Sequence, residues 1–241
     1  MLLLHGITDS WRSFAPVLPL LPAHWHVVGL SQRGHGESDK PVGSNRTRDF
    51  AADAAAVARA LDLPPLLVVG HSMGAANAFR LAIDHPHVVR GVVAAGAFAQ
   101  FGDIADLREF VQSTVAPLMD PVPRELGSAF QQDTLARSVA PELFETVVDE
   151  SLRVPAHVWR SAFAGLLEDD FCAELSRVKV PTLLVQGALD TFVPAADTAQ
   201  LLRALPCGRA SVWAEAGHAM HWEEPGRFAA ELVRFAAELG A

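Results

Sequence analysis

The sequence predicts an α/β protein built on one mostly parallel sheet with helices on both faces. Two patterns predict it. Short, nearly all-apolar runs recur along the chain, and Ala-rich amphipathic stretches separate them. A strand covered on both faces reads as a continuous apolar run, whereas a half-solvated strand alternates. Strand–helix alternation needs crossover connections, and these make the sheet parallel. The chain has 241 residues, enough for one domain with a large core and a small insert.

Taken in order, Met1–Leu4 is the first apolar run and ends at His5-Gly6. Ser10–Leu21 reads as a helix, Trp25–Leu30 as a strand, Thr47–Leu61 as a helix and Leu66–Gly70 as a strand. A helix over Met73–His85 and a strand over Val88–Ala95 follow. The alternation then breaks. From about Phe98 to Leu175 only helical patterns occur, punctuated by Pro117, Pro121, Pro123, Pro141 and Pro155. It resumes with a strand at Thr182–Gln186, a helix at Ala195–Ala204, a strand at Ala210–Ala214 and a helix at Pro225–Glu238. The expected organisation is a core of residues 1–97 and 176–241, with 98–175 inserted as a helical cap. With no repeat, low-complexity tract or Gly/Ser linker, the cap belongs to one domain.

Composition narrows the function. Half the residues are apolar and the net charge is −9, so a phosphate backbone would be repelled and nucleic acid is not an expected partner. No apolar run approaches the ~20 residues of a membrane span. The opening Met-Leu-Leu-Leu has no basic flank, so a secretory signal is not expected. Cys172 and Cys207 have no metal-ligand spacing and are expected to be reduced and buried, as in a cytoplasmic protein. Tyrosine is absent, which excludes any mechanism that needs a phenol.

The sharpest motif is Gly70-His71-Ser72-Met73-Gly74. It follows one apolar run and opens a helix, the strand–turn–helix setting of a nucleophile elbow. Such a turn strains the serine backbone, and side chains two residues away on either side would clash, so both positions take glycine. A serine hydroxyl needs a base. His218, in the loop after the last strand, is the candidate, with His221 as rival. His221 is expected instead to start the final helix. Asp190, just past the penultimate strand, is the acid that would orient the imidazole. Two backbone N–H groups should receive the developing oxyanion. Met73, next to the nucleophile, supplies one, and Ile7, in the His5-Gly6-Ile7 turn, supplies the other. The pairs His24/His26 and His85/His87 lack a third ligand, so no metal and no cofactor is expected.

Together these motifs resemble the α/β-hydrolase superfamily from end to end. The resemblance rests on His5-Gly6-Ile7, Arg33-Gly34-His35-Gly36, the Gly70–Gly74 elbow, Gly187 to Asp190 with Val193-Pro194, and Gly217-His218 with Glu224-Pro225. The order Ser72, Asp190, His218 is that superfamily's order. The nearest-looking branch is the small esterase, lactonase and cofactor-free haloperoxidase-like group. The resemblance implies an acyl-enzyme on Ser72 and a cap that lines the substrate pocket. Dehalogenases and epoxide hydrolases of this fold use Asp at the elbow, so Ser72 sets them aside. Ester, lactone, thioester and carbon–carbon hydrolysis, perhydrolysis, and a receptor that binds without turnover all stay open. Fold alone does not choose among them.

The expected substrate is a small, uncharged, apolar ester or lactone, because no arginine cluster marks an anion site. Phe98, Met119, Trp159 and Val193 are the candidate substrate-binding residues. Relatives also carry a hairpin ahead of the first strand, and here the chain starts inside that strand. Val27, Val28 and Leu30 are therefore expected on an open sheet edge, through which the protein would either form a homodimer or aggregate.

Overall fold

The computed structural model describes residues 1–240. In chain order its elements are β1 (Leu2–Leu4), β2 (Val28–Leu30), α1 (Thr47–Ala60), β3 (Leu66–His71), α2 (Met73–Asp84) and β4 (Val89–Ala95). Next come α3 (Ala105–Phe110), α4 (Arg124–Asp133), α5 (Pro141–Leu152) and α6 (Ala156–Glu168). The chain closes with β5 (Thr182–Gly187), α7 (Ala195–Ala204), β6 (Gly208–Trp213), α8 (Met220–Glu223) and α9 (Pro225–Glu238). The six strands form one sheet in the order β2-β1-β3-β4-β5-β6, every pair parallel.

Side-chain alternation explains why the inner strands β1, β3, β4 and β5 are mostly apolar, while the outer strands β2 and β6 are partly exposed. Leu2, Leu4, Val68, Val92 and Leu184 point to one face and join a core with α1, α2 and the inserted helices. Leu3, Val69, Val93, Leu183 and Val185 point to the other face and meet Phe14, Phe228, Leu232 and Phe235. Successive strand residues face opposite sides, so a sheet covered twice needs apolar residues at every position. Each such burial is worth about 1.5–3 kcal/mol.

Three local expectations are corrected. Ser10–Leu21 is two short 3₁₀ turns, Trp11–Phe14 and Leu18–Leu20, not one helix. Pro16 and Pro19 each lack the N–H that a continuous helix needs. The second strand is shorter than Trp25–Leu30, because only Val28–Leu30 pairs with β1. Finally, Cys207 is exposed and Cys172 only partly buried, so neither is the core cysteine expected.

Residues 98–175 hold α3 to α6 and no strand among the described residues. Phe110, Phe130, Trp159 and Phe163 pack there with ring centroids 5.6–5.9 Å apart. β2 is an outer strand of the sheet, in the position foreseen for it.

Two histidines set the loops above β1 and β2. The Gln32 N–H donates to His5 Nε2 at 2.9 Å, and the His5 Nδ1–H donates to the Gly6 carbonyl at 2.7 Å. His5 is thus neutral, and burial above all holds its pKa well below the usual value. His35 stands 5.1 Å from it, ring to ring, and burial lowers its pKa to about 4. Among the described residues no helix is long and apolar enough to cross a membrane.

Candidate active site

The site assembles at the carboxyl ends of β1, β3, β5 and β6, where parallel sheets bind ligands. β3 runs into Ser72, whose backbone takes φ 53° and ψ −117°. A non-glycine residue rarely adopts positive φ, and the cost is about 1–3 kcal/mol. Close packing enforces it. A Cβ on Gly70 would lie 2.2 Å from the Gly74 carbonyl oxygen, and one on Gly74 would lie 2.0 Å from that of Leu4. Both obstacles are backbone, so neither can swing aside. The Ser72 N–H is tied to the Ala95 carbonyl at 2.9 Å. α2 begins at Met73, whose N–H therefore has no partner within the helix.

His218 and Asp190 meet across two loops. His218 Nδ1 lies 2.8 Å from Asp190 Oδ2. The other carboxylate oxygen accepts the N–H groups of Phe192 and Val193 at 2.8 and 2.9 Å. Burial pushes the Asp190 carboxyl up, but the His218 ring and these two N–H groups together hold it below the ordinary carboxylate range. Asp190 is thus an ionised acceptor, so Nδ1 carries the His218 proton and Nε2 is left free as a base.

The His218 loop is clamped on two sides. Glu223 Oε2 accepts the Gly217 N–H at 2.8 Å. Its Oε1 accepts the N–H groups of Ala136 and Arg137, which ties the loop to the insert. The Ala219 N–H donates to Thr134 O at 3.0 Å. From the other side, the His71 Nε2–H donates to the His218 carbonyl at 3.1 Å. Burial chiefly, and then the His218 ring, lower the His71 pKa to about 3.

His221, the rival base, is not among the residues that line the Ser72 pocket. It is fully buried in α8 rather than at the head of α9, with Nε2 2.8 Å from Ser13 Oγ. Burial holds its pKa well below normal. Among the described residues no three His, Cys, Asp or Glu side chains gather as a metal would require.

Ser72 and His218 line one pocket together with Gly6 and Ile7. Phe98 and Val193 line it. Trp159 and Met119 do not. Trp159 is fully buried one layer back, its ring against Phe130 and Phe163, which themselves form the wall. Met119 points to solvent at 73 % exposure, between the close-spaced Pro117 and Pro121. The pocket also has residues to which the motifs assigned no role: Asp9, His71, Gln131 and Phe192. Asp9 was within reach, since it closes the His5-Gly6-Ile7-Thr8 turn. Gln131 carries no local signal at all, because only the packing of α4 against the core brings it here.

Asp9 is the unusual group. It is 2 % exposed, with Oδ1 2.9 Å from Gln131 Nε2 and Oδ2 3.3 Å from Ser13 Oγ. Burial pushes its carboxyl up to about 7, against the pull of those two donors and of His218.

Residues 1–225 match the alpha/beta hydrolase fold family. The chain belongs to that family. Among curated relatives, 2-(acetamidomethylene)succinate hydrolase of Mesorhizobium japonicum is 26 % identical over 86 % of this chain and 76 % of its own length. 3-Oxoadipate enol-lactonase 2 of Acinetobacter baylyi is 26 % identical over 85 % of this chain and 76 % of its own. Among solved structures, the esterase EaEST of Exiguobacterium antarcticum superposes with a TM-score of 0.86 at 21 % identity, covering 100 % of this chain and 91 % of that one. The protein is thus a hydrolase of the α/β-hydrolase fold.

Proposed function

We propose that the protein is a serine hydrolase that cleaves a small, uncharged carboxylic ester or lactone through an acyl-enzyme on Ser72. The observation that carries this reading is Ser72 held at positive φ in one pocket with His218, whose Nδ1 is bonded to Asp190 at 2.8 Å. His218 Nε2 takes the serine proton as Oγ attacks the carbonyl carbon. The carbonyl electrons move onto oxygen, and the N–H groups of Ile7 and Met73 receive that charge. Collapse of the intermediate expels the alkoxide, which takes the proton back from His218. In a lactone the alkoxide stays attached as the far end of the opened acyl chain. Water, deprotonated by the same nitrogen, then frees the acid.

Pocket chemistry supports the substrate class. The names of the two curated relatives describe dicarboxylate-type substrates, a succinate and an oxoadipate derivative. Here the lining residues include no arginine or lysine, and Asp9 presents a carboxyl. A substrate anion would find no counter-charge and a carboxyl against it, so the pocket suits a neutral ligand. Phe98, Phe101, Phe163 and Phe192 supply apolar walls.

The test is a panel of p-nitrophenyl esters and lactones graded by chain length, with an organophosphonate as trap. Ser72→Ala should lose on the order of 10⁴–10⁶ in rate, and mass spectrometry should place the phosphonate on Ser72. Turnover by Ser72→Ala at the wild-type rate, or phosphonate on another side chain, would refute the reading.

A further inference from the structure

The turn that carries the Ile7 N–H is strained, and its restraint comes from the insert. Asp9 N–H donates to the Gly6 carbonyl at 3.3 Å, closing a four-residue turn with Ile7 and Thr8 at its centre. Thr8 has φ 67°. That turn position ordinarily takes glycine or asparagine, and a β-branched residue there is a genuine outlier. Something must hold it.

The holding groups are buried and belong to α4 and α5. Thr8 is fully buried, with Oγ1 3.1 Å from Ser151 Oγ on α5. Ser151 donates its own proton to the Val147 carbonyl at 3.0 Å, so the Thr8 hydroxyl is the donor between the pair. Gln131 Nε2 on α4 has two hydrogens and lies 2.8 Å from Ser151 Oγ and 2.9 Å from Asp9 Oδ1. Its two short bonds therefore tie Ser151 to the residue that closes the turn. Gln131 is 1 % exposed and Ser151 fully buried, so water does not compete for these bonds.

We propose that Ser151 and Gln131 are positioning residues for the oxyanion hole: seated against the core, the insert holds Thr8 at positive φ and so aims the Ile7 N–H at the reacting carbonyl oxygen. The inference rests on the reading of Ile7 as an oxyanion donor. Chemistry and substrate selection are then coupled, because the helices that shape the pocket also complete the catalytic site.

A double-mutant cycle tests it, read on p-nitrophenyl ester hydrolysis by the whole protein. A lost oxyanion donor costs ~10²–10³ in kcat, and a misaimed one should cost on the order of 10- to 100-fold. Ser151→Ala should lower kcat by that amount with KM unchanged. The inhibition constant of a trifluoromethyl ketone, whose hemiketal oxyanion fills the same hole, should weaken in step. Glycine adopts positive φ without strain. In a Thr8→Gly background, Ser151→Ala should therefore cost less than about threefold. Ser151→Cys, which keeps the volume and weakens the bond, should change kcat in the same direction if Ser151→Ala folds poorly. Three outcomes overturn the inference: kcat within twofold of wild type, an equal loss in both backgrounds, or a rise in KM with kcat intact. Failure of the wild type to turn over any ester or to trap the phosphonate refutes the parent reading, and this inference with it.

Discussion

Asp9→Asn should stabilise the protein, and more so as pH rises. In the folded protein the Asp9 carboxyl is pushed from 3.8 up to about 7, burial being the main cause. The sign follows from proton counting. Between about pH 4 and 7 the unfolded chain has released this proton and the folded chain still holds it. A raised pKa therefore means stability that is intact below about pH 4, falls as pH climbs through 7, and is flat above. A shift of about three units corresponds to roughly 4 kcal/mol at most. Asparagine cannot ionise, and its carbonyl can still accept the Gln131 N–H. The variant should match wild type at pH 4 and exceed it by up to ~4 kcal/mol at pH 8. Urea unfolding across pH 4–8.5 measures this directly. A variant no more stable than wild type at pH 8, or a gap that narrows with rising pH, would refute the assignment of a high carboxyl pKa to this buried site.

Other changes separate packing from chemistry. Gly74→Ala would put a methyl group 2.0 Å from the Leu4 carbonyl oxygen and 2.7 Å from that of His5. It should cost more than ~3 kcal/mol or abolish folding, as thermal melting of the soluble fraction would reveal. Asp190→Asn should melt within a few degrees of wild type yet lose on the order of 10⁴ in kcat, since Nδ1 would lose its fixed acceptor. Phe98→Ala, in the pocket wall, should shift the ratio of kcat/KM between long and short acyl esters by ~10-fold or more. Met119→Ala, in solvent, should leave that ratio within about twofold.

What could be read from the chain alone divides along a physical line. The inner strands were visible because burial on both sheet faces leaves a nearly unbroken apolar record. The elbow was visible because two glycines are forced there by backbone contacts at 2.0 and 2.2 Å. Asp190 and His218 were candidates because they follow strand ends, and the structure brings them within 2.8 Å. Residues placed by long-range packing were not legible. Gln131 reaches Asp9 across 122 positions of chain, and no local pattern records such a meeting. Trp159 and Met119 show the same limit from the other side. Both are large and apolar and lie in the right segment, but only three-dimensional packing decides which side chains form the wall. The helix expected at Ser10–Leu21 failed for a local reason, the two prolines that interrupt its hydrogen bonding.

The buried histidines also set a boundary in proton concentration. His5, His35, His71 and His221 are held neutral, each with its pKa lowered mainly by burial. A lowered histidine pKa means stability that is present above about 6.5 and lost as pH falls. As pH falls below about 6.5 these rings favour taking up protons on unfolding, while Asp9 gives one back. Stability should thus decline as pH falls below neutrality, and proton uptake on unfolding, measured by calorimetry, should rise with it. The packing that keeps these rings neutral around the candidate base is therefore also the part of the fold that acid should loosen first.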